Sequence, residues 1–404
     1  MRPAAVCLFK FSVVLSCILL VSPLAFAQHY TQTNLVSDGF ISAPLVDPSL
    51  VNAWGLTRSA SGSPWWISDN NSGFSTVYSF VSGTPPTVTK VLSVTVPAPA
   101  KSPTGTTATP TGVVQNSSPD FVISGMGTSA PAAFIFCTED GTISAWSGAT
   151  GPVLEVTTPN AVYKGCTSGD VNGKRFLYVA NFRSGHVEVY DSTFTRVGVP
   201  DKDGDRFGDS EERFDDERIP RGFAPFNVQN IGGSLFVTYA KQDDARHDDV
   251  SGPGNGFVDI YSTSGKLESR LEHGPWLNSP WGVVWTPRDF GEFSNRVLVG
   301  NFGSGQIAAY NGFTGKFIGL MKTFADSVAQ TGESVVVIDG LWSLTFGNSA
   351  AGCPSAPPAG SGLPACGKAG PYNSLFFTAG PDEEMHGLFG MLTPIAAEQD
   401  GDEE

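Results

Sequence analysis

Residues 201–212 read Asp-Lys-Asp-Gly-Asp-Arg-Phe-Gly-Asp-Ser-Glu-Glu. Asp201, Asp203, Asp205 and Asp209 fall at the first, third, fifth and ninth positions of a loop that Glu212 closes. Oxygen ligands so spaced wrap a hard cation, and the segment is expected to hold a structural Ca²⁺. It departs from an EF-hand loop at Arg206, which stands where glycine is usual, and no amphipathic helices flank it. A solvated acidic insertion is the plainer alternative. A second polar cluster runs from Gln242 to Asp249. Its His247, Asp248 and Asp249 are candidate ligands for a metal, or an acid/base pair. The plainer alternative, a solvated loop hinged on the glycines of 252–256, is favoured here.

The cysteines narrow the chemistry further. Cys7 and Cys17 lie in an N-terminal leader described below, which leaves Cys137, Cys166, Cys353 and Cys366. Cys353 and Cys366 bracket a Pro/Gly/Ala/Ser-rich stretch and are the expected disulfide. Cys137 and Cys166 are either a second bridge or two buried thiols. The chain contains no CxxC, no nucleophile elbow, no zincin motif, no P-loop and no dinucleotide fingerprint. Haem and nucleotide cofactors are therefore not expected. Five scattered histidines give a hydrolytic triad little to work with.

These residues must be positioned by a repeat. A Gly-centred apolar strand is followed by a second apolar strand, a polar turn and a third strand ending in an aromatic residue. The clearest copy is Ser279-Pro280-Trp281-Gly282-Val283-Val284-Trp285, then Arg296-Val297-Leu298-Val299-Gly300-Asn301-Phe302, then Gly305-Gln306-Ile307-Ala308-Ala309-Tyr310. Other copies open at Asn52, Pro110, Lys164, Ala224 and Asp339. The copy opening at Pro110 takes Phe121-Val122-Ile123-Ser124 as its second strand. Short strands joined by turns suit four-stranded antiparallel blades, and six of them close a ring without free sheet edges. The expected fold is all-β: a single six-bladed β-propeller over 28–394, with Tyr30 to Val36 as a closing strand. A pair of β-sandwiches is the competing architecture.

On that frame the polar residues at the inner-strand openings, Asn52, Asn227, Asn278 and Asp339, would ring the channel as candidate ligand-binding groups. Trp54, Trp281 and Trp342 are expected to pack blade against blade.

The bulk numbers restrict partners. The chain of 404 residues carries 24 basic and 39 acidic side chains, a net charge of −15. Such a surface repels phosphate backbones, so nucleic acid and anionic membrane are excluded as favoured partners. Arg2 and Lys10, an apolar run from Phe11 to Val21, and Ala25-Phe26-Ala27 have the layout of a cleaved signal peptide over 1–27. The mature protein is expected to be secreted or otherwise extracytoplasmic, monomeric and without a transmembrane anchor, ending in an acidic disordered tail over 395–404.

The order Pro-x-Gly-Val, Val-Leu-Val-Gly-Asn, Gly-x-Ile-x-x-Tyr resembles the NHL-type propeller repeat, with Asp69-Asn70, Asn181 and Asn301 in its turn position. Through Leu50-Val51-Asn52-Ala53-Trp54-Gly55-Leu56, Phe223-Ala224-Pro225-Phe226-Asn227-Val228-Gln229 and the 246–259 segment, the chain also resembles a family of uncharacterised secreted bacterial proteins. That resemblance implies fold and location and supplies no catalytic residue. In lactonase-type propellers the inner-strand openings hold a catalytic divalent cation; here those positions are mostly amides. The sequence therefore favours a binding scaffold for a protein, glycan or small ligand. A metal-assisted hydrolase or lyase of the lactonase kind is the alternative, and carboxylates converging at the channel mouth would favour it.

Overall fold

The computed structural model describes residues 29–60, 62–200, 207–208, 213–349 and 367–395. Six sheets form the expected ring. Blade 1 is Ala53–Thr57, Trp65–Asp69, Phe74–Val81 and Thr87–Thr95. Blade 2 is Pro110–Gln115, Phe134–Thr138, Thr142–Ser147 and Gly151–Thr157. Blade 3 is Tyr163–Val171, Lys174–Asn181, His186–Tyr190 and Arg196–Val197, and blade 4 is Phe223–Ile231, Ser234–Lys241, Gly256–Ser262 and Leu267–Arg270. Blade 5 is Pro280–Trp285, Val297–Asn301, Ile307–Tyr310 and Phe317–Leu320. Within each, consecutive strands pair antiparallel from the channel outwards.

Blade 6 closes the ring. Leu341–Phe346, Leu375–Ala379 and Leu388–Pro394 come from the C-terminal end, and Tyr30–Ser37 adds antiparallel to the last of them, with Tyr30 opposite Pro394. Leu45–Val46 then pairs parallel to Tyr30–Ser37 as a fifth strand. Tyr30 is fully buried, and its hydroxyl donates to the carbonyl of Phe290, which ties the closing strand to blade 5.

One expectation is corrected. The second strand of blade 2 is Phe134–Thr138, not Phe121–Ser124. Val122–Gly125 instead pairs with Thr128–Pro131 as a side hairpin. The burial pattern explains this. Phe134–Thr138 is buried on both faces, as a strand stacked between neighbouring blades must be, whereas in the hairpin strand Val122–Gly125 only Ile123 is buried and Val122 and Ser124 are exposed. Val199–Pro200 pairs with Phe207–Gly208 between blades 3 and 4. The proposed calcium ligands Asp201, Asp203, Asp205, Asp209 and Glu212, the cysteines Cys353 and Cys366, the leader, and the tail beyond Ile395 lie outside the described residues. Among the described residues no helix is long and apolar enough to cross a membrane.

The core lies between blades. Trp66 of blade 1 stacks on Phe134 of blade 2 at 4.0 Å between ring centroids. Nearer the axis the blades meet backbone to backbone. A Cβ on Gly55 would stand 2.3 Å from the Thr111 carbonyl oxygen, and one on Gly282 would stand 2.7 Å from that of Trp342. Glycine is therefore a steric requirement at the axis. Blades 4 and 6 place Asn227 and Ser343 at the same register. Asn227 Nδ2 donates to the Trp281 carbonyl at 2.9 Å, and Ser343 Oγ accepts from the Leu56 amide at 3.1 Å. Those two side chains complete the ring by hydrogen bonds where glycine would do it by contact.

Cys137 and Cys166 are free, buried thiols on neighbouring blades, with their sulfur atoms 2.7 Å apart. Burial pushes the Cys166 thiol well up, so it is held protonated and unreactive.

Candidate functional site

All six inner strands carry a register shift at the same place, where Trp54, Thr111, Lys164, Phe226, Trp281 and Trp342 stand. A bulge re-aims a side chain, and here it turns one residue per blade to the axis. Trp54, Phe226, Trp281 and Trp342 form one buried apolar cluster. Trp54 stacks on Trp342 at 3.5 Å, and Phe302 stacks on the far side of Trp342 at 3.9 Å. This cluster plugs the channel. The expectation that these tryptophans are packing residues matches the geometry.

Blade 3 departs from the aromatic pattern. Lys164 takes the axial position, is 2% exposed, and lies 5.2 Å from the centroid of the Trp54 ring. Its ammonium donates to Glu139, and to Asp248 at 3.0 Å. Glu139 comes from the turn between the second and third strands of blade 2. Asp248 comes from the corresponding long loop of blade 4. His247 Nδ1 lies 2.9 Å from the same Asp248 oxygen that Lys164 reaches. Glu139, His247 and Asp248 each offer a ligand atom, and these atoms all lie within 4.8 Å of one another.

Around this centre the charge is mostly negative. Burial, opposed by the glutamate and aspartate carboxylates, would pull Lys164 down; the carboxylates win and hold it charged, above its ordinary value. Against partial desolvation, Lys164 and then His247 keep Asp248 below the usual carboxylate range. Burial pushes Asp249 up. Glu384, on the blade 6 loop, is pushed up to about 7, mainly by burial, which outweighs Lys164, with Glu139, Asp248 and Asp249 adding to the rise. That loop is strained: Asp382, Glu383 and Glu384 have φ of 56°, 53° and 67°, three successive left-handed residues without glycine. Each costs on the order of 1–2 kcal/mol, and such strain gathers at functional sites.

The sequence-derived candidates take four different roles. His247, Asp248 and Asp249 lie together at the mouth. Asn52 lies beneath them: its Oδ1 accepts from the Trp342 indole at 2.9 Å, and its Nδ2 stands 3.4 Å from Asn70 Oδ1. Asn70 Nδ2 then donates to Glu139 at 2.9 Å. Asn52 thus positions Glu139 through Asn70. Asn227 and Asn278 are spent on backbone: Asn278 Oδ1 accepts from Gly252 at 2.6 Å. Asp339 is exposed at the rim, where it accepts from the Asp382 amide at 2.9 Å.

Glu139, Lys164, Asn70 and Glu384 were not identified from the sequence. A signal existed for two of them. Lys164 precedes the inner-strand glycine exactly where three other blades carry tryptophan. Glu139 follows Thr138 as Asn70 follows Asp69 in the repeat turn. Glu384 has no such register to betray it.

The fold and site define a six-bladed β-propeller with a plugged channel and a charged mouth. No family model matches the chain. It is similar to two uncharacterised proteins of Acanthamoeba polyphaga mimivirus. One is 28% identical over 369 residues, covering 89% of this chain and 78% of the relative. The other is 27% identical over 369 residues, covering 89% and 84%. These relatives are viral, whereas the resemblance drawn from the sequence was to bacterial proteins. Among solved structures, a Bacteroides thetaiotaomicron protein of unknown function aligns at TM-score 0.47 with 9% identity, over 91% of this chain and 76% of that one. Virginiamycin B lyase from Staphylococcus aureus aligns at TM-score 0.40 with 11% identity, over 91% and 99%.

Proposed function

We propose that the protein is an exported binding propeller whose site is the channel mouth, and that its ligand presents a positive centre, a divalent cation or an organic ammonium. One observation carries this reading. Carboxylates from blades 2, 4 and 6 converge on one face around a single lysine, leaving the site with more negative than positive charge. A closed, plugged channel beneath gives that charge no other outlet, and a low-dielectric wall strengthens its pull. His247 and the oxygens of Glu139 and Asp248 are ligands suited to a borderline metal ion, while the oxygens alone suit a hard one.

The test is calorimetric titration of the metal-stripped protein with Mn²⁺, Zn²⁺, Ca²⁺ and a simple alkylammonium. Binding that Glu139→Gln and Asp248→Asn each weaken by about tenfold or more supports the site. Full-strength binding in both variants, or no binding of any cation, sinks it.

A second reading is favoured by Glu384 and by the same convergence of carboxylates at the mouth, the feature expected of a metal-assisted enzyme. A carboxyl that keeps its proton near neutrality, beside a fixed ammonium, is equipped for proton transfer with charge stabilisation. On this reading the mouth catalyses a metal-assisted hydrolysis or elimination. Turnover of a lactone or ester panel, lost in Glu384→Gln, would select it over simple binding. A structural Ca²⁺ held by the 201–212 segment belongs to the same proposal. There EDTA should lower the melting temperature and Ca²⁺ restore it. Export predicts a mature N-terminus at Gln28, read by N-terminal sequencing of the secreted protein.

A further inference from the structure

The aromatic plug divides the channel, and the half away from the mouth is a second cavity. Its volume is about 340 Å³, and all six inner strands line it beyond their bulges. A cavity of that size lies at the small end of ligand pockets and fits one sugar-sized ring. Its charge is the reverse of the molecule's. In a chain with 39 acidic and 24 basic residues, this lining holds two arginines, Arg58 and Arg175, and one acid, Asp170. Arg175 is committed to Asp170 through two bonds of 2.8 Å. Arg58 is not so neutralised. Its Nε donates to the Phe346 carbonyl at 2.6 Å and its Nη1 stands 3.5 Å from the Ser59 carbonyl. Among the described residues no carboxylate pairs with it. Burial alone acts on the guanidinium, pulling it below its ordinary value. A half-buried guanidinium without a counter-charge is an unmet demand for an anion. The cavity also offers the hydroxyl of Thr345 on the neighbouring blade 6 and, from blade 4 across the channel, the amide of Gln229, both half-buried lining groups with bonding capacity to spare.

We propose that this lower cavity binds a small hydroxylated carboxylate of the sugar-acid class. The carboxylate pairs with Arg58, and the ligand hydroxyls bond to Gln229, Thr345 and the exposed strand ends. The fork of Arg58 matches a planar carboxylate better than a point charge. This site is separate from the mouth and does not depend on the function proposed there.

The experiment is calorimetric titration of the full chain with glucuronate, glucose and glucose 6-phosphate. We expect glucuronate to bind, and glucose to bind at least about tenfold more weakly for want of the charged pair. Arg58→Gln should abolish the preference for the acid. Because Arg58 also bridges blades 1 and 6, Gln229→Ala and Thr345→Val serve as variants with less structural burden; each should weaken glucuronate severalfold with an unchanged melting temperature. Glu139→Gln, at the other end of the channel, should leave glucuronate binding intact. The proposal is overturned if glucuronate shows no binding at ~10 mM, or if glucose binds equally well. It is also overturned if the phosphate is preferred, or if folded Arg58→Gln, or both milder variants, bind glucuronate as the parent does.

Discussion

Lys164 illustrates what one residue changes at a six-fold position. Where blades 1, 5 and 6 place tryptophan, it puts a buried ammonium under a group of acids. Removing it leaves Glu139 facing an apolar floor without its partner. Lys164→Met should therefore cost about 3–5 kcal/mol, the usual penalty for stripping one member from a buried ion pair. Lys164→Met combined with Glu139→Gln should recover part of that loss, and a double-mutant cycle by chemical denaturation measures the difference. Glu384 gives a prediction with a definite sign. Its folded value of about 7 lies above the ordinary 4.5, so between these the folded protein binds more protons than the unfolded chain. Its contribution to stability is fully present below the lower value and is lost as pH rises through the upper one. Glu384→Gln should flatten that part of the stability profile and raise the melting temperature above neutrality relative to the parent. Thermal melts across the window check it; an unchanged slope in the variant would contradict the assignment.

At the scale of the strand, the inner glycines are set by distance of approach. Gly55→Ala and Gly112→Ala would bring a methyl to 2.3 Å from the Thr111 carbonyl oxygen and 2.7 Å from the Cys166 amide nitrogen. Each should destabilise by about 1–3 kcal/mol. Gly319, on the outermost strand of blade 5, has no atom within 4 Å of that position. Gly319→Ala should fall within about 0.5 kcal/mol of the parent in the same urea titration. The repeat made the inner and second strands readable because glycine, aromatic ends and turn residues recur at fixed register. The second strand of blade 2 is hidden because Phe121-Val122-Ile123 looks as apolar as Phe134-Ile135-Phe136; only burial on both faces tells a stacked strand from a side hairpin. The mouth was half legible. His247, Asp248 and Asp249 stood out as a local cluster. Glu139 and Glu384 are brought to them by ring closure, which points turns from the alternate blades 2, 4 and 6 at one another across the channel mouth without any local motif.

For the whole molecule, stability rests on the sheet that joins the two ends of the described chain. Deleting residues through Ser37 would expose the edge of Leu388–Pro394 and uncover the cluster that includes Tyr30. An unpaired edge of this kind invites association with other chains. The truncated protein should elute as aggregate in size-exclusion chromatography and lose its cooperative thermal transition. A monomeric truncation with an unchanged melt would show that the other blades hold the ring alone.

The same junction has a kinetic consequence. Tyr30 emerges among the first residues of the described chain, but its strand must wait for Pro394 before its antiparallel pairing is complete. At ribosomal speeds that interval is some tens of seconds, during which the half-built ring carries a strand whose buried residues Tyr30, Leu35 and Val36 lack the sheet that covers them. The molecule cannot latch until residue 394 has been made, so a chaperone that shields the waiting strand during synthesis should raise its yield more than one added afterwards.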